Sequence, residues 1–88
     1  MIRRQMNSMV RLKNIKKSDG TIECDIYPED STLPGHVVVS IKTEEIINCE
    51  LPQNYEWCEN HASHARWKLI EMLKNNEKFP EECLVMWC

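Results

Sequence analysis

The chain has only two glycines and one phenylalanine among its 88 residues, and no acidic residue before Asp19. No apolar run approaches the ~20 residues that a helix needs to cross a bilayer. The basic opening MIRRQMNSMVRLK is followed by no apolar block, so it does not read as a secretory signal. Gly20 and Gly35 both lie in turn-like surroundings, which leaves no glycine-rich phosphate loop. There is no G-x-S-x-G elbow, no Ser/His/Asp arrangement and no EF-hand pattern. Five cysteines occur (Cys24, Cys49, Cys58, Cys83 and Cys88), an odd set with no paired spacing. A small secreted scaffold would show an even and denser set. The cysteines therefore read as reduced thiols, mostly buried as small apolar groups, in a soluble cytoplasmic protein.

What is present suffices for one small domain. Hydrophobic residues make up 42% of the chain. A chain of this length buries only about 60–65% of its unfolded surface, which leaves little room for an enclosed substrate cavity. Charge is unevenly placed. Residues 1–17 carry six basic groups and no acid, and the remaining 71 carry five basic and fourteen acidic groups. Such a basic run can be an arm for a polyanion or one strand of a charge-matched pair.

The pattern predicts an α+β fold: a four-stranded antiparallel β-meander packed on one long α-helix, with a short C-terminal strand joining the sheet. Residues 1–9 read as a disordered or loosely ordered extension, and residues 10–88 as the single domain. VRLKNIK and TIECDIY pair through a three-residue loop, Ser18-Asp19-Gly20. That register sets Arg11 opposite Tyr27, Leu12 opposite Ile26, Lys13 opposite Asp25, Asn14 opposite Cys24 and Lys16 opposite Ile22. Ile15 then points outward and Asn14 inward, a mismatch that predicts a bulge. Pro28 ends the second strand. Pro34-Gly35 suits the centre of a type II turn. HVVVSIK and IINCEL supply two more strands, the latter with Ile47, Cys49 and Leu51 inward, and Pro52 closes it. From about Tyr55 to Asn76 the apolar period becomes helical, through Cys58, Ala62, Ala65, Leu69, Met72 and Leu73. Asn54 reads as the N-cap, and Asn75 and Asn76 as stop residues. The apolar CLVMWC reads as the final strand.

The stretch WCENHASHARW concentrates chemically versatile side chains. Cys58, His61 and His64 follow one another at i, i+3 and i+6. Each step turns the helix so that neighbours lie about 60° apart, which puts Cys58 and His64 about 120° and about 9 Å apart. One metal ion needs its ligand atoms within about 2.0–2.3 Å, and a straight helix cannot bring all three to it. No C-x2-C or H-x3-H partner completes a tetrad. A helix N-terminus and a nearby histidine favour a thiolate at Cys58, whereas the apolar stripe favours an inert, packed thiol. Trp57 reads as a border anchor of the core. Trp67 points almost opposite to Ala65 and Leu69, with Ile70 on a flank nearby, and this exposed pair marks a partner surface. Glu23, Asp25 and Glu50 share the outer sheet face. One-sided sheets are commonly charged there, so solvation explains them.

Three functions compete. The leading expectation is a small, non-enzymatic, cytoplasmic protein-interaction module, self-associating through its apolar C-terminus, with Trp67, Ile70 and Trp87 as contact residues. The second is a nucleic-acid-binding accessory protein using Arg11, Lys13, Lys16 and Lys17. That run lacks the interleaved aromatics that stack on bases, and the acidic remainder repels a polyanion. The third is a metal or thiol protein built on Cys58, His61 and His64. No cofactor, membrane contact or small-molecule substrate is indicated.

Overall fold

The structure, a computed structural model, describes residues 8–87. Five antiparallel strands form one open sheet in the order β4-β3-β2-β1-β5, and a single helix, α1, packs on one face. In chain order the elements are β1 (Ser8–Ser18), β2 (Thr21–Pro28), β3 (Gly35–Ser40), β4 (Ile46–Glu50), α1 (Glu59–Lys74) and β5 (Glu82–Trp87). The first four strands are a meander, and β5 returns to pair with β1. Most of the extension expected at residues 1–9 lies outside the described residues, but Ser8 and Met9 open β1 opposite Trp87 and Met86.

Period-2 alternation builds the inner face of the sheet. Val10, Leu12, Ile22, Cys24, Ile26, Val37, Val39 and Val85 are buried beneath Ala62, Ala65, Leu69 and Ile70 of the helix. The two alanines present little side chain, which lets the helix axis approach the sheet closely. Met72 is also buried on the helix.

The β1–β2 register begins as the sequence predicts, with Arg11 opposite Tyr27, Leu12 opposite Ile26 and Lys13 opposite Asp25. It then slips by one residue. Lys16 faces Glu23, Lys17 faces Ile22 and Ser18 faces Thr21, so only Asp19 and Gly20 remain for the turn. The slip is the predicted bulge, centred on Asn14, whose φ is 57°. Asparagine tolerates this left-handed backbone better than most residues. The inserted residue reverses the expected facing: Asn14 turns outward and donates to Asp25 Oδ2 at 2.8 Å, while Ile15 packs against the core. Gly20 has φ 88° in the tight turn, a conformation that costs glycine little.

Gly35 departs from its expected role. It lacks a positive φ and begins β3 rather than centring a type II turn. Its missing side chain admits the Glu50 carbonyl and Pro52 Cδ, both of which a Cβ would strike. A second slip, between Val38 and Val39, puts Ile46 in place of Ile47 on the inner face of β4, while Cys49 stays opposite the buried Val37. Ile46 and Leu51 pack against the core, while Ile47 and Cys49 are exposed.

The helix is shorter than the period suggests. Asn54 has φ 72°, and two tight turns follow Pro52, with Tyr55 N–H donating to the Pro52 carbonyl and Cys58 N–H to the Tyr55 carbonyl. Cys58, not Asn54, occupies the N-cap. The C-terminus closes as a Schellman motif: Asn76 at φ 54° donates to Leu73 O, and Glu77 N–H reaches Met72 O. Arg66 Nε donates to the Glu44 carbonyl at 2.6 Å, tying the helix to the β3–β4 connection. Among the described residues, no helix is long and apolar enough to cross a membrane.

Candidate functional site

The Cys58, His61 and His64 side chains diverge. Cys58 is completely buried, and that burial, reinforced by the charge of Glu29, pushes its thiol up to about 11. It is therefore a protonated packing group at neutral pH. His61 is buried, with Nε2 2.7 Å from Glu29 Oε2. The same carboxylate oxygen accepts from the Met9 N–H at 3.0 Å. Glu29 has φ 52°, and its own N–H donates to Met9 O, so β1 and the end of β2 aim the carboxylate at the helix. His64 instead stacks on Trp87, with ring centroids 3.8 Å apart and planes 13° from parallel. No group of three or more His, Cys, Asp or Glu side chains able to hold a metal ion occurs among the described residues.

His61 lies between two indoles, edge-on to Trp57 at 5.6 Å and to Trp87 at 5.0 Å. Its Nδ1 has no hydrogen-bond partner among the described residues. Trp57 is 65% exposed rather than seated at the core border, and its Nε1 donates to Asn54 O. The two histidines thus hold Trp87 against the helix, beside the core contact made by Val85.

The expected contact residues separate. Trp67 is 52% exposed, as its helical position predicts. Ile70 is buried in the core and so is not part of an exposed pair with it. Trp87 is half-buried. Ser63, His64 and Trp67 of the helix and Val85, Met86 and Trp87 of β5 line an open groove of about 360 Å³. None of these six side chains is an acid, a lysine or an arginine.

Beside the groove runs the edge of the sheet. Among the described residues, β5 pairs only with β1, so its outer backbone edge is unoccupied. From Cys83 to Trp87 it carries no charge. Val85 is buried under the helix, while Leu84 and Met86 are 52% and 61% exposed. Leu84 and Met86 alternate with the core-facing Val85 and so lie on the sheet face away from the helix. The signal for this surface was the loss of polar alternation in CLVMWC.

The basic run is largely occupied within the fold. Arg11 Nη2 donates to the Ser31 carbonyl at 2.9 Å, and Arg11 and Lys13 lie over the Tyr27 ring. Lys13 faces Asp25 on one side and Glu82 on the other, its Nζ 4.0 Å from the Glu82 carboxylate. Lys16 and Lys17 are exposed near the hairpin turn, with Lys16 opposite Glu23.

One outer-face constellation was not anticipated. His36 Nδ1 lies 2.8 Å from Asp25 Oδ1, and its Nε2 lies 2.6 Å from Glu23 Oε2. Burial alone would lower the imidazole's pKa, but the hydrogen bonds to Asp25 and Glu23 outweigh it and raise it above its ordinary value. Burial would likewise raise Asp25, yet hydrogen bonds from Asn14 and His36 hold it below the usual carboxylate range. The β2–β3 register, which places His36 opposite Asp25, is the signal that finds it. The arrangement joins neighbouring strands by charge and leaves neither imidazole nitrogen free for general acid–base work.

No family model, curated protein or solved structure matches the chain.

Proposed function

We propose that this chain is a small, non-enzymatic protein-interaction module of the cytoplasm that receives an extended polypeptide along the free edge of β5. The observation that carries the reading is the uncharged edge from Cys83 to Trp87, with Leu84 and Met86 more than half exposed. Main-chain groups along such an edge supply affinity, and flanking side-chain pockets supply selectivity. Here the apolar groove between Trp67 and Trp87 is the flanking pocket. The four described cysteines are unpaired thiols, which suits a reducing compartment.

The test uses the full chain and a fluorescein-labelled nonapeptide alternating valine with threonine. Saturable binding that is weakened at least tenfold by Met86→Lys supports the reading. Absence of peptide binding at millimolar concentration, together with a monomeric mass at every protein concentration, overturns it.

A further inference from the structure

Resting on that reading of the β5 edge, we propose that its occupant is a second copy of this chain, paired antiparallel about a two-fold axis at Val85 to give one ten-stranded sheet.

The register follows from symmetry. In an antiparallel ladder, residues directly opposite one another lie on the same face of the sheet. Two identical strands related by a perpendicular two-fold axis must therefore be centred on a residue. Centring on Val85 sets Val85 against Val85 of the second copy, Leu84 against its Met86 and Cys83 against its Trp87. Every one of these pairs is uncharged. Centring on Leu84 brings Glu82 opposite Met86 of the second copy. Centring on Cys83 brings Glu82 opposite its Leu84. Centring on Met86 shortens the ladder within the described residues. The Val85 register alone pairs all five uncharged residues of β5, and it pairs apolar side chains on both faces of the sheet.

Three further features fit a second copy. The perpendicular axis keeps both helices on one face, so the two grooves meet across the junction. Trp67 of each copy then stands at the wall of a shared trough over Val85 and Trp87, which removes its exposed indole from water. The groove residues carry no acid, lysine or arginine, and Lys68 and Glu71, one turn on from His64 and Trp67, are paired at 2.9 Å. Like charges therefore do not meet at the axis. Finally, the association closes after two copies. The opposite edge, β4, is bulged and ends in the exposed Glu50, so it does not extend the ladder into a fibre. A five-residue strand pair with one groove on each side lies toward the small end of stable interfaces, where association is weak.

The experiment is light scattering on the full chain from low to high micromolar concentration, with Leu84→Lys, Met86→Glu and the double variant L84K/M86E. Both side chains are more than half exposed, so thermal unfolding should show all variants folded. The wild type is expected to dimerise. Each single variant should dissociate at least tenfold more readily, and the double variant should recover, because each new lysine then faces a new glutamate across the axis. A double variant that stays monomeric while the wild type dimerises overturns the proposal, since registers centred elsewhere give no such rescue. A wild type that is monomeric throughout also overturns it. If that monomer still binds the valine–threonine peptide, the interaction module stands and only the self-pairing falls.

Discussion

At one side of the sheet, β4 ends the ladder with a register slip against β3, an exposed Glu50 and, two residues on, Pro52. At the other side, β5 presents five consecutive uncharged residues, and its ladder with β1 runs without a slip from Ser8 to Lys13. Both strands lie at an edge, and both have apolar side chains exposed: Ile47 on β4, and Leu84 and Met86 on β5. The difference lies in what a passing strand would meet. Bulges and charges make an edge a poor template, whereas a regular uncharged edge invites pairing. Of the two margins, that of β5 is the one with neither a bulge nor a charge from Cys83 to Trp87.

Four measurements test that contrast, in descending order of expected size. Gly35→Ala attacks the β4 margin, because the added methyl meets the Glu50 carbonyl and Pro52 ring where β4 leaves the sheet. Backbone must move, and a loss of about 2–3 kcal/mol is expected, on the scale of overpacking. In a domain of this size each kcal/mol lowers Tm by about 4–8 °C, so thermal unfolding checks it directly. Leu84→Lys attacks the β5 margin in the opposite manner. It sets a lysine opposite Arg11 and so should lower Tm of the dilute protein slightly, while weakening self-association at least tenfold, about 1.4 kcal/mol.

The centre of the sheet provides a third comparison. His36 is raised and Asp25 lowered by their pairing. The stabilisation from His36 is fully present below its ordinary value of 6.5 and is lost as pH rises through its raised value. That from Asp25 is present above its ordinary value of 3.8 and is lost as pH falls through its lowered value. Tm should therefore gain most from this cluster between pH 3.8 and 6.5. His36→Ala should cost about 1 kcal/mol inside that window, a value kept small by the cluster's partial exposure, and less above it. An equal loss at pH 6 and pH 9 would remove the imidazolium from the account. The smallest effect is in thiol labelling. Cys49 lies on β4 and Cys83 on β5. Alkylation of Cys83 should slow as protein concentration rises and the edge is covered, while Cys49 keeps one rate throughout. Cys24, whose thiol burial and the neighbouring Asp25 push up to about 12, should stay unlabelled in the native state.

The architecture was legible because most of the chain keeps a clean period. TIECDIYP alternates without fault and HVVVS supplies a buried β3, so strand existence and the start of the hairpin register follow from pattern alone. The departures in the strands share one physical cause. At Asn14, and again opposite Val38 and Val39, one extra residue enters a strand and the side chains on one side of it change face. Alternation carries no mark of such an insertion until a partner strand is in place. The early helix start failed for a different reason: two successive turns join Pro52 to Tyr55 and Tyr55 to Cys58, and these steps of three imitate a helical repeat. At the candidate site, exposure of Trp67 was readable from its angle on the helix, and the uncharged edge from the absence of charge in CLVMWC. The hold of His64 on Trp87 was not readable, since it joins residues from distant parts of the chain through the final fold.

Pairing between β1 and β5 also has a consequence for how the molecule assembles. Val10 meets Val85 only after the whole intervening chain has been gathered in, whereas the contacts of β1 with β2 close across a tight turn. Loop-closure entropy makes the distant partner the late one. On a ribosome, β1 would wait with one flank bare while the meander condensed beside it, and the strand that finally shields that flank would carry the uncharged edge to the outside.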